Sequence, residues 1–116
     1  MNGEVQAFVE HTYEAVLGRG GDPEGIISHT NLILQGRLAP QQLIHDFLFS
    51  AEFSAKGLNN EEFIRTLYRA YLYREADPAG LAEWVALLES GGASGETVIK
   101  GFVNSNEFKA ILNGLK

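Results

Sequence analysis

Shifting this sequence by 55 residues lays its second half on its first without a gap. Phe8 falls on Phe63, Tyr13 on Tyr68, Leu17 on Leu72, Arg19 on Arg74, Asp22-Pro23 on Asp77-Pro78, Gly25 on Gly80 and Gly36 on Gly91. Further on, Ile44 meets Ile99, Phe47 meets Phe102, Ser50 meets Ser105, and Glu52-Phe53 meets Glu107-Phe108. A period of this length constrains the fold more than composition does, because whatever packs inside one copy packs alike in the other. The shared unit runs for about 46 residues from Phe8 or Phe63. Repeat one covers about 4–57 and repeat two about 59–115, inside a single domain over 1–116.

The spacing within each copy is helical. Val5, Phe8, Val9, Tyr13 and Val16 recur at helix period, as do Phe63, Ile64, Leu67, Tyr68 and Tyr71. Asn59 followed by Glu62 resembles a capping box and starts a helix near Asn60. The second helix of each copy opens at Asp22-Pro23 or Asp77-Pro78, where Asp caps free N–H groups and Pro, which has none, suits the first helical position. It stops near Gly36 or Gly91, residues able to adopt a left-handed end. Ile26, Thr30, Ile33 and Leu34 form its inward stripe in one copy, and Leu81, Trp84, Val85 and Leu88 in the other. A third helix opens at Pro40 or after Ser94, and a short fourth follows Ser50 or Ser105. The expected fold is all-α, a compact helical bundle of two tandem repeats, each of three helices plus a short fourth.

Composition narrows the function. At 116 residues the chain buries roughly two-thirds of its unfolded surface, enough for a core without metals or disulfides. The absence of cysteine removes disulfides, thiolate metal sites and a cysteine nucleophile together. A net charge of −6 with nine scattered basic residues argues against nucleic acid as partner. No run approaches the ~20 apolar residues that span a bilayer. The opening, Met1 to Glu4, lacks the basic and apolar regions of a secretory signal. The chain reads as soluble, without membrane insertion, and is compatible with being a piece of a longer secreted protein.

The string Leu67-Tyr68, Arg74-Glu75-Ala76-Asp77-Pro78-Ala79-Gly80-Leu81, Trp84, Gly91 and Ser105-Asn106-Glu107-Phe108 resembles the bacterial domain of unknown function numbered 4214. The first copy is similar: it keeps Tyr13, Leu17-Gly18-Arg19, Asp22-Pro23, Gly25 and Ser50-Ala51-Glu52-Phe53, but has His29 where the family pattern prefers Trp. A looser similarity links Leu17-Gly18-Arg19 and Ser50-Ala51-Glu52-Phe53 to the linker domains of phycobilisomes. The first resemblance implies a helical module of large secreted or surface-associated bacterial proteins, hence an extracellular or cell-surface location. Both imply a part that holds something in place.

Beside the capping Asp, an arginine and a glutamate recur in both copies while most charges do not: Arg19 with Glu52, and Arg74 with Glu107. The expectation is a staple between the first helical turn and the last helix, partly buried and costly to break from one side. The alternative is an Arg74 that grips a ligand carboxylate, since a guanidinium fork suits both uses. Asp22 and Asp77 are assigned as helix caps. A lone Asp beside Pro lacks the oxygen ladder that calcium needs, so no metal and no cofactor is expected. His11, His29 and His45 are too scattered for a zinc site or a general base, and Gly18-Arg19-Gly20-Gly21 lacks the Lys-Ser/Thr of a phosphate loop. Tyr71, Tyr73 and Trp84 are candidate contacts for a partner, with Tyr73 the exposed one, because positions two apart on a helix point in different directions.

These observations favour a non-catalytic binding or assembly module that recognises a protein or a polysaccharide. The alternative is a structural spacer or scaffold linker without a specific ligand. An enzyme requires an acid–base pair in a cleft; a deep pocket lined by Glu10, Glu14 or Glu83 would reopen that question.

Overall fold

The computed structural model describes residues 2–115, and among these the chain is all-helical. The first copy forms α1 (Asn2–Thr12), α2 (Pro23–Leu34), α3 (Pro40–Leu48) and α4 (Ala51–Ser54). The second forms α5 (Asn60–Leu67), α6 (Pro78–Ser90), α7 (Gly95–Val103) and α8 (Asn106–Asn113). Helix starts follow the capping chemistry of the sequence. Asp22 accepts from the Gly25 amide at 3.0 Å and Asp77 from the Gly80 amide at 2.9 Å. Asn59 accepts from Glu62, Ser50 from Phe53, Ser94 from Thr97 and Ser105 from Phe108. Each satisfies one of the N–H groups that a helix start leaves unpaired. Gly36 and Gly91 take φ of 73° and 79° at the ends of the second helices.

Both copies share a feature that the hydrophobic spacing does not mark. α1 and α5 run on into a π-helical turn, Tyr13–Leu17 and Tyr68–Leu72. A π turn is wider than an α turn and shifts the side-chain register. In the second copy Ile64, Thr66, Leu67, Tyr68, Ala70 and Tyr71 are all buried, so this stretch is wrapped on nearly every side. The two π turns pack against each other. Around them Phe8, Val9, Leu43, Ile44, Phe47, Phe53, Val98, Ile99, Phe102 and Phe108 close into one cluster with residues of both copies.

The copies pack on each other reciprocally. Val5, Ile33 and Pro40 face Lys109, Leu112 and Asn113 of α8 and its end across a shared groove. Adding 55 to the first three and subtracting it from the rest gives Asn60, Leu88 and Gly95 facing Ser54, Gly57 and Leu58, and these line a second groove. The tail of each copy therefore lies beside the other copy, the pattern of a two-fold interface made within one chain. His45 Nε2 on α3 reaches Glu96 Oε1 on α7 at 3.1 Å across the same junction.

Two expectations are corrected. Leu34 does not join the inward stripe of α2: it is 44 % exposed, because α2 ends there and the chain turns away through Gly36. Tyr71 is wholly buried in edge contact with Phe108, which removes it as a candidate surface contact.

The Tyr71 hydroxyl is buried and has no hydrogen-bond partner among the described residues, and burial pushes its pKa up. An unpaired buried hydroxyl forfeits the bonds it made to water in the unfolded chain. Tyr71→Phe is expected to stabilise the fold by about 1 kcal/mol. A thermal melt checks this; a lower midpoint would show that the hydroxyl is paired.

Candidate functional site

Each copy builds the same constellation around the tyrosine that begins its π turn. The Arg19 guanidinium lies over the Tyr13 ring, 5.4 Å from its centroid, and Arg74 lies over Tyr68 at 5.1 Å. Arg19 donates through Nε and Nη2 to the two carboxylate oxygens of Glu52 at 2.7 and 2.9 Å. Arg74 does the same to Glu107, both at 2.9 Å. The remaining Nη1 donates to the carbonyl of Gly20 or Glu75. The arginine hydrogen bonds hold Glu52 and Glu107 below the usual glutamate range. Arg74 also reaches the cap Asp77 at 3.5 Å, while the Gly80 amide is the chief cause of that carboxylate's lowered pKa.

Both arginines are thus spent on their own copy. The expected partial burial is not found: Arg19 and Glu52 are 46 % and 44 % exposed, and Arg74 and Glu107 are 40 % and 53 % exposed. In water such pairs fix geometry more than they add stability.

Beneath the arginine, the second helix presses its first turn onto the tyrosine. A Cβ on Gly25 would come within 2.7 Å of the Tyr13 hydroxyl, and one on Gly80 would collide with the Tyr68 hydroxyl. His29 and Trp84 occupy matching places. His29 Nδ1 donates to the Gly25 carbonyl at 2.9 Å and sits 3.5 Å from the Tyr13 hydroxyl. The Trp84 indole lies beside the Tyr68 hydroxyl and against Phe102 and Gly101. Trp84 is half-buried.

The copies differ where the π turn ends. Gly18 takes φ 70° there, and Tyr73 holds φ 58° in its place, a left-handed conformation that costs a non-glycine residue about 1–2 kcal/mol. Tyr73 stacks on His11 of the other copy, ring centroids 3.7 Å apart, while His11 Nε2 donates to the Arg69 carbonyl at 2.7 Å. Burial of one side of the ring pushes the Tyr73 pKa up to about 12. The residue is nevertheless 44 % exposed and borders an open crevice of about 300 Å³ with His11, Glu14, Arg69 and Glu75. Arg69 pairs with Glu75 at 3.1 Å. Tyr73 stands out in the sequence as the exposed aromatic, whereas His11 is too isolated there for a metal or general-base site and Glu14 enters only as an acid that a deep pocket could use; their meeting with Tyr73 has no sequence signal.

The second helices are the other unusual surface. α6 carries only Glu83 and Glu89 as charges, yet none of its residues is buried. α2 buries only Thr30. A helix that is apolar on most sides ordinarily sits inside a protein. Here Ile27 is 59 % exposed and Leu87 is 42 % exposed. Leu87, Trp84 and Ala86 border one open groove of about 620 Å³, and Leu81, Ala82 and Val85 a second of about 470 Å³. Glu83 and Glu14 line separate, open grooves. Among the described residues no three His, Asp or Glu side chains come together as a metal site needs.

The sequence model of a family described as Domain of unknown function (DUF4214) matches residues 2–56 and, a second time, residues 44–112. The chain belongs to the DUF4214 family. No curated protein and no solved structure matches it. The two matches overlap within α3 and α4, so the DUF4214 pattern of the second copy reaches back into helices that pack beside it. In both DUF4214 copies the shared Tyr, Arg, Asp-Pro, Gly and Glu positions are the ones joined in the tyrosine-centred constellation.

Two outcomes follow from this geometry. Gly80→Ala is expected to destabilise by about 1–3 kcal/mol by overpacking Tyr68, opposite in sign to the usual helical preference for alanine; denaturant melts decide it. Removing Arg74 or Glu107 alone is expected to lower stability by about 1 kcal/mol or less, with the double variant losing less than the sum. Because Glu107 has a depressed folded pKa, this contribution is present above the usual glutamate pKa and lost as pH falls through the folded value. The wild-type advantage over Arg74→Ala should therefore shrink in acid to what the Tyr68 ring and the Glu75 carbonyl retain, as melts across pH will show.

Proposed function

We propose that this DUF4214 chain is a non-catalytic binding or assembly module of a secreted or surface-associated bacterial protein, and that its partner is a protein or polysaccharide. The observation that carries the reading is the pair of apolar second helices left at the surface, with Ile27 and Leu87 pointing outward from α2 and α6. Exposed apolar side chains on a helix that its own core does not use cost solubility, and contact with a partner offsets that cost. A spacer needs only a charged surface. The recurring charges meanwhile hold each copy together through Arg19–Glu52 and Arg74–Glu107. Trp84, at the edge of the α6 groove, supplies an aromatic face for either class of partner.

The test uses Leu87→Asp and Ile27→Asp, checked first for unchanged helicity and melting. Immobilised wild-type chain should retain a partner from the envelope proteins and polysaccharides of its source bacterium. The variants should weaken that retention about tenfold or more, the effect of withdrawing one apolar side chain from a contact. Equal retention by wild type and both variants would leave the spacer as the better reading.

A further inference from the structure

We propose that the crevice at the junction of the two copies holds a cationic side chain, lysine or arginine, of a partner protein, laid over Tyr73 and met by the carboxylate of Glu14. Tyr73 is the one non-glycine residue with positive φ among the described residues. The first copy solves the same turn with Gly18 at no steric cost. A side chain kept in a strained backbone conformation, half out of the protein, points to a use for the ring itself. His11 backs the ring at 3.7 Å and is held by the Arg69 carbonyl, so the ring is a fixed platform rather than a mobile one.

Charge selects the ligand. Arg69 is taken by Glu75 and Arg74 by Glu107. The Glu14 carboxylate is exposed, with no ion pair or hydrogen bond of its own among the described residues. The unmet demand in the crevice is therefore a positive charge. A tyrosine face attracts cations through its quadrupole, and the net charge of −6 steers basic partners toward the chain and acidic glycans away. The internal repeat supplies the control. A shift of 55 residues exchanges Glu14 with Arg69 and puts Gly18 in the place of Tyr73, so the related position has no ring for a cation to lie over. The site exists once per chain. It rests on the module reading only in taking the partner to be a protein, and its residues are separate from Ile27 and Leu87.

The test is an amide NMR titration of the whole chain, in physiological salt, with a blocked Gly-Arg-Gly peptide at millimolar concentration and its citrulline analogue. The arginine peptide is expected to shift the amides of Glu14, Arg69 and Tyr73, and the citrulline peptide to leave them in place. Tyr73→Gly should weaken binding about tenfold with an unchanged or higher melting temperature. Glu14→Gln should weaken it several-fold, and Glu24→Gln, an exposed acid on α2, not at all. Leu87→Asp should bind the peptide like wild type, which separates this site from the α6 contact. The proposal is overturned by equal binding of the citrulline peptide, or by shifts at surface acids generally. It is equally overturned by cellotetraose shifting these amides where the arginine peptide does not, or by a Tyr73→Gly chain that melts lower and binds as before.

Discussion

The structure depends on a tyrosine at the point where a helix widens. Tyr13 and Tyr68 each begin a π turn, and each ring is contacted from three directions. A phenylalanine of the third helix meets it edge-on, with centroids 4.8 Å apart for Tyr13–Phe47 and 5.0 Å for Tyr68–Phe102. A guanidinium covers another side, and a glycine of the second helix sits against the hydroxyl. The second helix, the third helix and the loop after the π turn thus converge on one side chain. The Arg–Glu bridge adds little stability of its own in water, but it ties the short last helix to the loop that leaves the π turn. The glycine is required because no Cβ fits between the helix and the hydroxyl.

With so much of the packing concentrated on the first and third helices, the second helix is left on the outside. Its inward edge covers the tyrosine, and its outward face leaves Ile27 exposed in one copy and Leu87 in the other. That is why two stretches that read as core by composition lie at the surface. The reciprocal placing of the tails reinforces the arrangement. Each copy contributes its last helix to a groove whose other wall belongs to its neighbour, and residues of both copies share one core.

The departures from internal symmetry are informative because the second copy acts as a reference for the first. His29 replaces Trp84 and keeps a ring over the same tyrosine, a substitution the packing absorbs. Tyr73 replaces Gly18 and is not absorbed in that way: the backbone is strained and the ring stands out against His11.

The sequence by itself determined the elements of this protein and their repetition. Asp22-Pro23, Asp77-Pro78, Ser50, Ser105 and Asn59 mark helix starts because capping is a local event, settled within three or four residues. The 55-residue shift made Arg19 and Glu52, or Arg74 and Glu107, legible as pairs, since only features with a shared role recur together. Tertiary structure alone decided what depends on distance through space. Periodicity marks which face of a helix is apolar and not whether another helix covers it, so the inward place of Tyr71 was legible but the exposure of α6 was not. The π turns left no trace because one extra residue in a turn barely changes a hydrophobic pattern. The meeting of His11 with Tyr73, from opposite copies, came from the reciprocal packing of the two halves, which no spacing along one chain encodes.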